Sequence, residues 1–161
     1  MNKSLYLKAK ELNNESNELF DLINLIKKFL DNNETKFKNK ESIIALKVIK
    51  NYLLNKEKEL EIVQTNCRNN RIELVNTCNH EIAIKNTNID EYFCLICNHY
   101  FGSDIPEKSL ISIDTKNDYK TYYEVKKIFD NLVNSDRNII EDLTEELIRI
   151  QYEKDIKVYR R

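Results

Sequence analysis

The chain has 161 residues, of which 41% are hydrophobic and 33% charged, with a formal net charge of −1. That length suits one domain, or a small module on a helical body, and the apolar content excludes wholesale disorder. Basic and acidic residues number twelve and ten over 1–65, three and five over 66–106, and eleven and twelve over 107–161. No region concentrates positive charge as a protein that grips nucleic-acid phosphates does.

Residues 3–31 read as one long amphipathic helix. Leu5, Leu12, Leu19 and Ile26 recur every seven residues, with Ala9, Ser16, Ile23 and Leu30 interleaved. This three-four spacing is the seam of a coiled coil or a long helical hairpin. Phe20, Leu22, Leu25 and Phe29 widen the apolar face toward its end. A polar run to Lys40 interrupts the pattern. A second helix is expected from about Glu41 to Thr65, on Leu46, Ile49, Leu53, Leu60 and Val63, with Lys56 as the charged interruption. The pair predicts an antiparallel hairpin about 35–40 Å long at 1.5 Å per residue.

Residues 66–77 read as a polar turn followed by a strand at Ile72–Val75. Strands are also expected at 82–84 and 91–93, around a hairpin tip at 85–88, and at Ser109–Ile113, which extends the small sheet. The single glycine and single proline, Gly102 and Pro106, fall between this segment and the C-terminal region. A chain so poor in helix breakers is predominantly helical. A helix is predicted over 118–134, a turn and cap cluster at 134–136, and a last helix from about Arg137 to Tyr159. In that last helix, acidic Glu141, Asp142, Glu145 and Glu146 come early and Lys157, Arg160 and Arg161 late, a polarity that suits a helix dipole.

Chemistry concentrates in Cys78, His80, Cys94 and Cys97, a C-x-H pair and a C-x2-C pair separated by about the length of a β-hairpin. Zinc takes four tetrahedral ligands from thiolate and imidazole, and structural sites fill all four positions with protein groups. The turn after Cys97 needs a left-handed residue, which Asn98 tolerates in place of glycine. Two rivals contend for His80's place: His99, two residues beyond Cys97, and Cys67, which would make four thiolates. Cys67 also reads as a small packed hydrophobe, and His99 as a ring beside the site. Tyr92 and Phe101 bracket the segment as a minicore. The local pattern over 72–102 resembles zinc ribbons and related small zinc fingers, modules with unrelated jobs. That resemblance implies one structural Zn2+, and loss of a cysteine is then expected to unfold 72–102.

The neighbouring catalytic motifs fail at named positions. H-E-x-x-H would need histidine where Ile84 stands. A zinc deaminase needs H-x-E and P-C-x-x-C, but Ile82 and Phe93 occupy the decisive positions. With one glycine there is no phosphate-binding loop. The expectation is a non-enzymatic α+β protein, predominantly α. Its parts are a helical hairpin (1–66), a zinc-ribbon-like β module (67–106), and a strand with two helices (107–161) forming one body with the hairpin. A protein partner is expected, with the chain acting as an adaptor or inhibitor. An anti-defence factor of a phage or mobile element is one setting for it. Zinc-finger nucleic-acid binding is the alternative, through Lys27, Lys28, Lys36, Lys38 and Lys40 near the hairpin tip. A homodimer through the N-terminal helices is a third possibility. The first twelve residues lack a signal peptide's apolar core and no run is long enough to span a membrane, so the expected location is the cytoplasm.

Overall fold

The computed structural model describes residues 2–86, 90–105, 107–115, 119–134, 138–154 and 156–160. Among these the chain is predominantly helical with one central sheet, the α+β class expected. Helix α1 is Lys3–Asn33 and, after a 3-10 turn at Glu34–Lys36, helix α2 is Lys40–Thr77. Strands β1 (Ile82–Asn86), β2 (Glu91–Cys94), β3 (Tyr100–Gly102) and β4 (Ile111–Thr115) follow. Helices α3 (Tyr119–Val133) and α4 (Ile139–Lys154) then lead to β5 (Ile156–Arg160). The chain divides into two compact units, 7–73 and 1–6 with 74–161.

The first unit is a helical hairpin. Asn39 caps α2 reciprocally: its side-chain oxygen accepts the Ser42 N–H at 2.7 Å, while its own N–H donates to Ser42 Oγ at 3.2 Å. This is a capping box with serine in the return position. Lys27 pairs with Glu57, and Glu34 with Lys50. Seven residues forward on α1 match seven residues back on α2, which fixes an antiparallel register. Between the helices, the less exposed residues of α1 are Ala9, Leu12, Ser16, Leu19, Ile23, Ile26 and Leu30. On α2 they are Leu46, Ile49, Leu53, Lys56, Leu60, Val63, Cys67 and Asn70. Lys56 tolerates its seam position by reaching out to Glu59 at 2.6 Å and lying over the Tyr52 ring, its stem covering apolar surface.

The strand expected at Ile72–Val75 is instead the end of α2, which runs twelve residues past the expected stop. The physical reason lies in the seam. The three-four spacing continues through Cys67 and Asn70 to Leu74, but the polar amide of Asn70 interrupts the apolar pattern.

The second unit holds a five-stranded sheet in the order β3-β2-β1-β4-β5. The β1–β4 pair is parallel, with Ile84 opposite Ile113, and the other three pairs are antiparallel. Strand β4 extends the sheet as expected from Ser109–Ile113. The predicted hairpin tip lies partly at 87–89, outside the described residues, as do Pro106, the start of the 118–134 helix and most of the 134–136 cap cluster. Helix α4 does not reach Tyr159. It ends at Lys154, and Ile156–Arg160 is a strand on β4. Period-two alternation of β-branched Ile156 and Val158 overrides helix propensity there. Lys157 and Arg160 therefore do not serve a helix dipole. The core is Ile82, Ile84, Ile111, Ile113, Val125, Phe129, Val133, Leu143 and Leu147, all at most 1% exposed.

Candidate metal centre

Two segments converge on one point, 78–80 after α2 and 94–97 at the end of β2. Cys78 is the first residue after α2. His80 follows with φ 55°, a left-handed conformation that histidine adopts more readily than most side chains. Cys94 ends β2, and Cys97 lies in the turn beyond it. The backbone holds these pieces in place. Asn98 N–H donates to Cys94 O, and Cys94 N–H to His99 O, both at 2.8 Å. Leu95 N–H donates to Ile82 O at 2.9 Å, tying the turn to β1. Ser109 Oγ donates to His80 O at 3.0 Å, and the N–H groups of Leu110 and Ile111 donate to Glu81 O. Asn98 takes the left-handed conformation its position demands, with φ 58°.

One ligand atom from each of Cys78, His80, Cys94 and Cys97 lies within 4.8 Å of every other. The Cys78 and Cys94 sulfurs are 3.6 Å apart, and Cys97 Sγ is 3.4 Å from His80 Nδ1. The cysteines are free rather than bridged. Such a cluster can hold one metal ion. Each sulfur also accepts a backbone N–H: Cys78 from His80 at 3.4 Å, Cys94 from Cys97, and Cys97 from His99. Donors aimed at sulfur favour its anionic form.

The thiols perturb one another strongly. Hydrogen bonds from Cys94, then Cys97, hold Cys78 well below the usual thiol range. Donation to Cys78 pushes Cys94 far up, with burial adding to it, and pushes Cys97 up to about 11. Cys94 and Cys97 are buried, whereas Cys78 is part-buried. Cys78 forms one wall of an open cleft of about 410 Å³, with Asn79, Glu81, Lys108 and Leu110 also lining it.

The rivals for the fourth position are placed elsewhere. His99 stacks on the His80 ring at 5.2 Å between centroids, and Phe101 meets both rings edge-on at the same separation. Cys67 lies on the hairpin seam and is not among the four clustered ligands. Tyr92 is buried beneath the Lys85 ammonium. Sequence reasoning missed Lys126 of α3, whose Nζ donates to Leu95 O at 2.8 Å, between the two C-x2-C cysteines. No local motif marks a lysine thirty residues downstream.

The class of site is therefore a cluster of three cysteines and one histidine on a β-turn and a helix end. No protein-family model matches the chain, and neither a curated protein nor a solved structure matches it. No helix among the described residues is long and apolar enough to cross a membrane.

Proposed function

We propose that the cluster holds one structural zinc ion and that the protein is a non-enzymatic interaction module, an adaptor or inhibitor that recognises another protein. The spacing of the sulfurs carries the metal assignment. Zinc–sulfur bonds of about 2.3 Å at tetrahedral angles put ligand sulfurs about 3.8 Å apart, and a sulfur–nitrogen edge comes to about 3.6 Å. The observed 3.6 Å and 3.4 Å edges need little adjustment, and the longest separation, 4.8 Å, must close by about 1 Å. Three thiolates around one Zn2+ leave a local charge of −1, and Lys126 braces the turn through Leu95 O. Four protein ligands leave no open position for a substrate or an activated water, which argues against catalysis.

Lys85 supports protein over nucleic acid as the partner. It is the one lysine or arginine between residues 82 and 102, and it is paired with Asp90. A finger whose cation is already neutralised offers little to a phosphate backbone.

Metal analysis of the purified chain is expected to return one zinc per chain. Substitution with Co2+ should give the spectrum of a tetrahedral ion held by three sulfurs and one nitrogen, and added azide should leave it unchanged. Cys94→Ser or Cys97→Ser is expected to lose the metal and release the turn that carries both cysteines. Unchanged zinc content and an undisturbed melting curve in either variant would sink the staple. Capture of a stoichiometric protein partner supports the recognition reading. Salt-sensitive gel shifts of DNA or RNA at physiological ionic strength would overturn it.

A further inference from the structure

The two flanks of the helical hairpin differ in kind. Lys27 follows the seam residue Ile26 of α1 and Glu34 follows Asn33, the last residue of α1, while Lys50 and Glu57 each follow a seam position of α2. Their two ion pairs bridge one flank, which also exposes Phe20 and Ile43. On the other flank lie Leu22 and Phe29, each preceding a seam position of α1, and Tyr52, preceding Leu53 of α2. Leu25 and Val48 are one helical turn from these on the same side, and Ile62 lies one turn beyond Glu59, which precedes Leu60 on that flank. Leu25, Phe29, Val48, Tyr52 and Ile62 are each 46–66% exposed. By the register of the ion pairs, Leu22 stands level with Ile62. From there to the level of Val48 the stripe runs about 20 Å at 1.5 Å per residue. A face this apolar on a two-helix element lacks a covering layer.

Charge identifies the occupant. Residues 11–21 of α1 contain Glu11, Glu15, Glu18 and Asp21 and no basic residue, whereas residues 36–50 contain five lysines and one acid. Glu11, Glu15 and Glu18 continue the Leu22–Leu25–Phe29 stripe at the same three-four spacing, so apolar and acidic stretches share one helix face. The hairpin is thus acidic along α1 below the stripe and basic at its turn.

We propose that this face docks a second copy of the chain, in antiparallel orientation, to form a two-fold dimer whose interface is a four-helix layer. A two-fold axis crossing the stripe near Phe29 and Asn55 places Lys36, Lys38 and Lys40 of each copy beside Glu18 and Asp21 of the other. It also sets the two apolar stretches face to face. A parallel pairing would instead bring the lysine-rich turns together and set acid against acid. An isologous interface of this kind closes on itself, so assembly stops at two. The inference stands apart from the metal assignment. A zinc-loaded monomer overturns the dimer and leaves the staple intact, whereas a metal-free dimer does the reverse.

Sedimentation equilibrium of the full chain across a range of concentrations is the test. The expected species is a dimer. Leu25→Glu with Val48→Glu, both exposed and neither on the seam, should yield a monomer with unchanged helical circular dichroism and unchanged metal content. Lys36→Glu with Lys38→Glu should weaken the dimer about tenfold, which corresponds to about 1.4 kcal/mol. Adding Glu18→Lys and Asp21→Lys to that variant should recover the affinity. A wild-type chain that stays monomeric overturns the proposal, as does a dimer indifferent to Leu25→Glu with Val48→Glu. A charge exchange that fails to recover the affinity overturns the antiparallel arrangement.

Discussion

Tyr6 shows how much one side chain outside the metal cluster contributes to the unit that carries it. Its hydroxyl donates to Asp130 of α3, its ring meets Phe129 edge-on at 5.2 Å, and the Lys126 ammonium lies 4.6 Å from its centroid. The same ammonium donates to Leu95 O inside the cysteine turn, so Tyr6 buttresses the residue that braces the site. Burial first, and the bond to Asp130 second, push the Tyr6 hydroxyl well above its ordinary value. A folded-state pKa raised in this way adds stability that is fully present below about pH 10, the unfolded value, and is lost as pH rises beyond it. Tyr6→Phe keeps the ring contacts and removes the hydrogen bond to a carboxylate, at a cost of about 1.5–3 kcal/mol near neutral pH. Denaturant titrations should show the wild type losing that margin above about pH 10 and the variant showing a flatter alkaline limb. Parallel pH profiles for the two proteins would exclude this role for Tyr6.

At the scale of elements, the hairpin shows both what the sequence made legible and where legibility stopped. The three-four periodicity from Leu5 to Val63 marks both helices because Leu and Ile occupy most seam positions, each apolar enough to signal burial alone. Beyond Val63 the seam passes through Cys67 to Asn70, whose polar amide breaks the apolar pattern, so α2 reads as stopping twelve residues early. Strand β5 was hidden for the opposite reason, since five residues of period two directly after a strong helix look like its last turns. The convergence of Cys78, His80, Cys94 and Cys97 was legible because ligand chemistry and spacing are local. The Lys126 brace was not, because only the tertiary fold brings α3 to the turn. Asn70 also makes a quantitative prediction. It is 4% exposed, and neither atom of its amide has a hydrogen-bond partner. A buried amide in that state costs about 1–3 kcal/mol, and leucine restores the seam. Asn70→Leu is expected to raise hairpin stability by about that amount, read as an upward shift of the denaturation midpoint with an unchanged slope. A loss of stability would mean that the amide fixes the register of the pairing, as single polar seam residues can.

For the molecule as a whole, the question is how far the influence of a metal ion reaches. Strands β1 and β4, with α3 and α4, bury a core of Ile, Val, Leu and Phe at most 1% exposed, and nothing in that core requires a cation. Strands β2 and β3 are different. They are short, they lie toward one edge of the sheet, and a register shift between Tyr92 and Phe93 interrupts their pairing. Under the proposed zinc site, their order depends on the turn at Cys94–Cys97 being pinned to Cys78 and His80 in addition to its backbone hydrogen bonds. A structural zinc ion contributes on the order of 10 kcal/mol to the segment it closes, far more than two short edge strands could supply by themselves. Chelation should therefore act locally. Hydrogen exchange is expected to accelerate first at Cys94, Leu95 and Asn98, whose N–H groups close the turn, and then through β2 and β3. The amides of Ile113 in β4 and of Phe129 in α3 should stay protected, as should the hairpin, which forms a separate compact unit. Helical circular dichroism would then fall little while protection at one sheet edge is lost. A single cooperative loss of protection in both units on chelation would make the ion a determinant of the whole fold. No change anywhere would remove it as a staple.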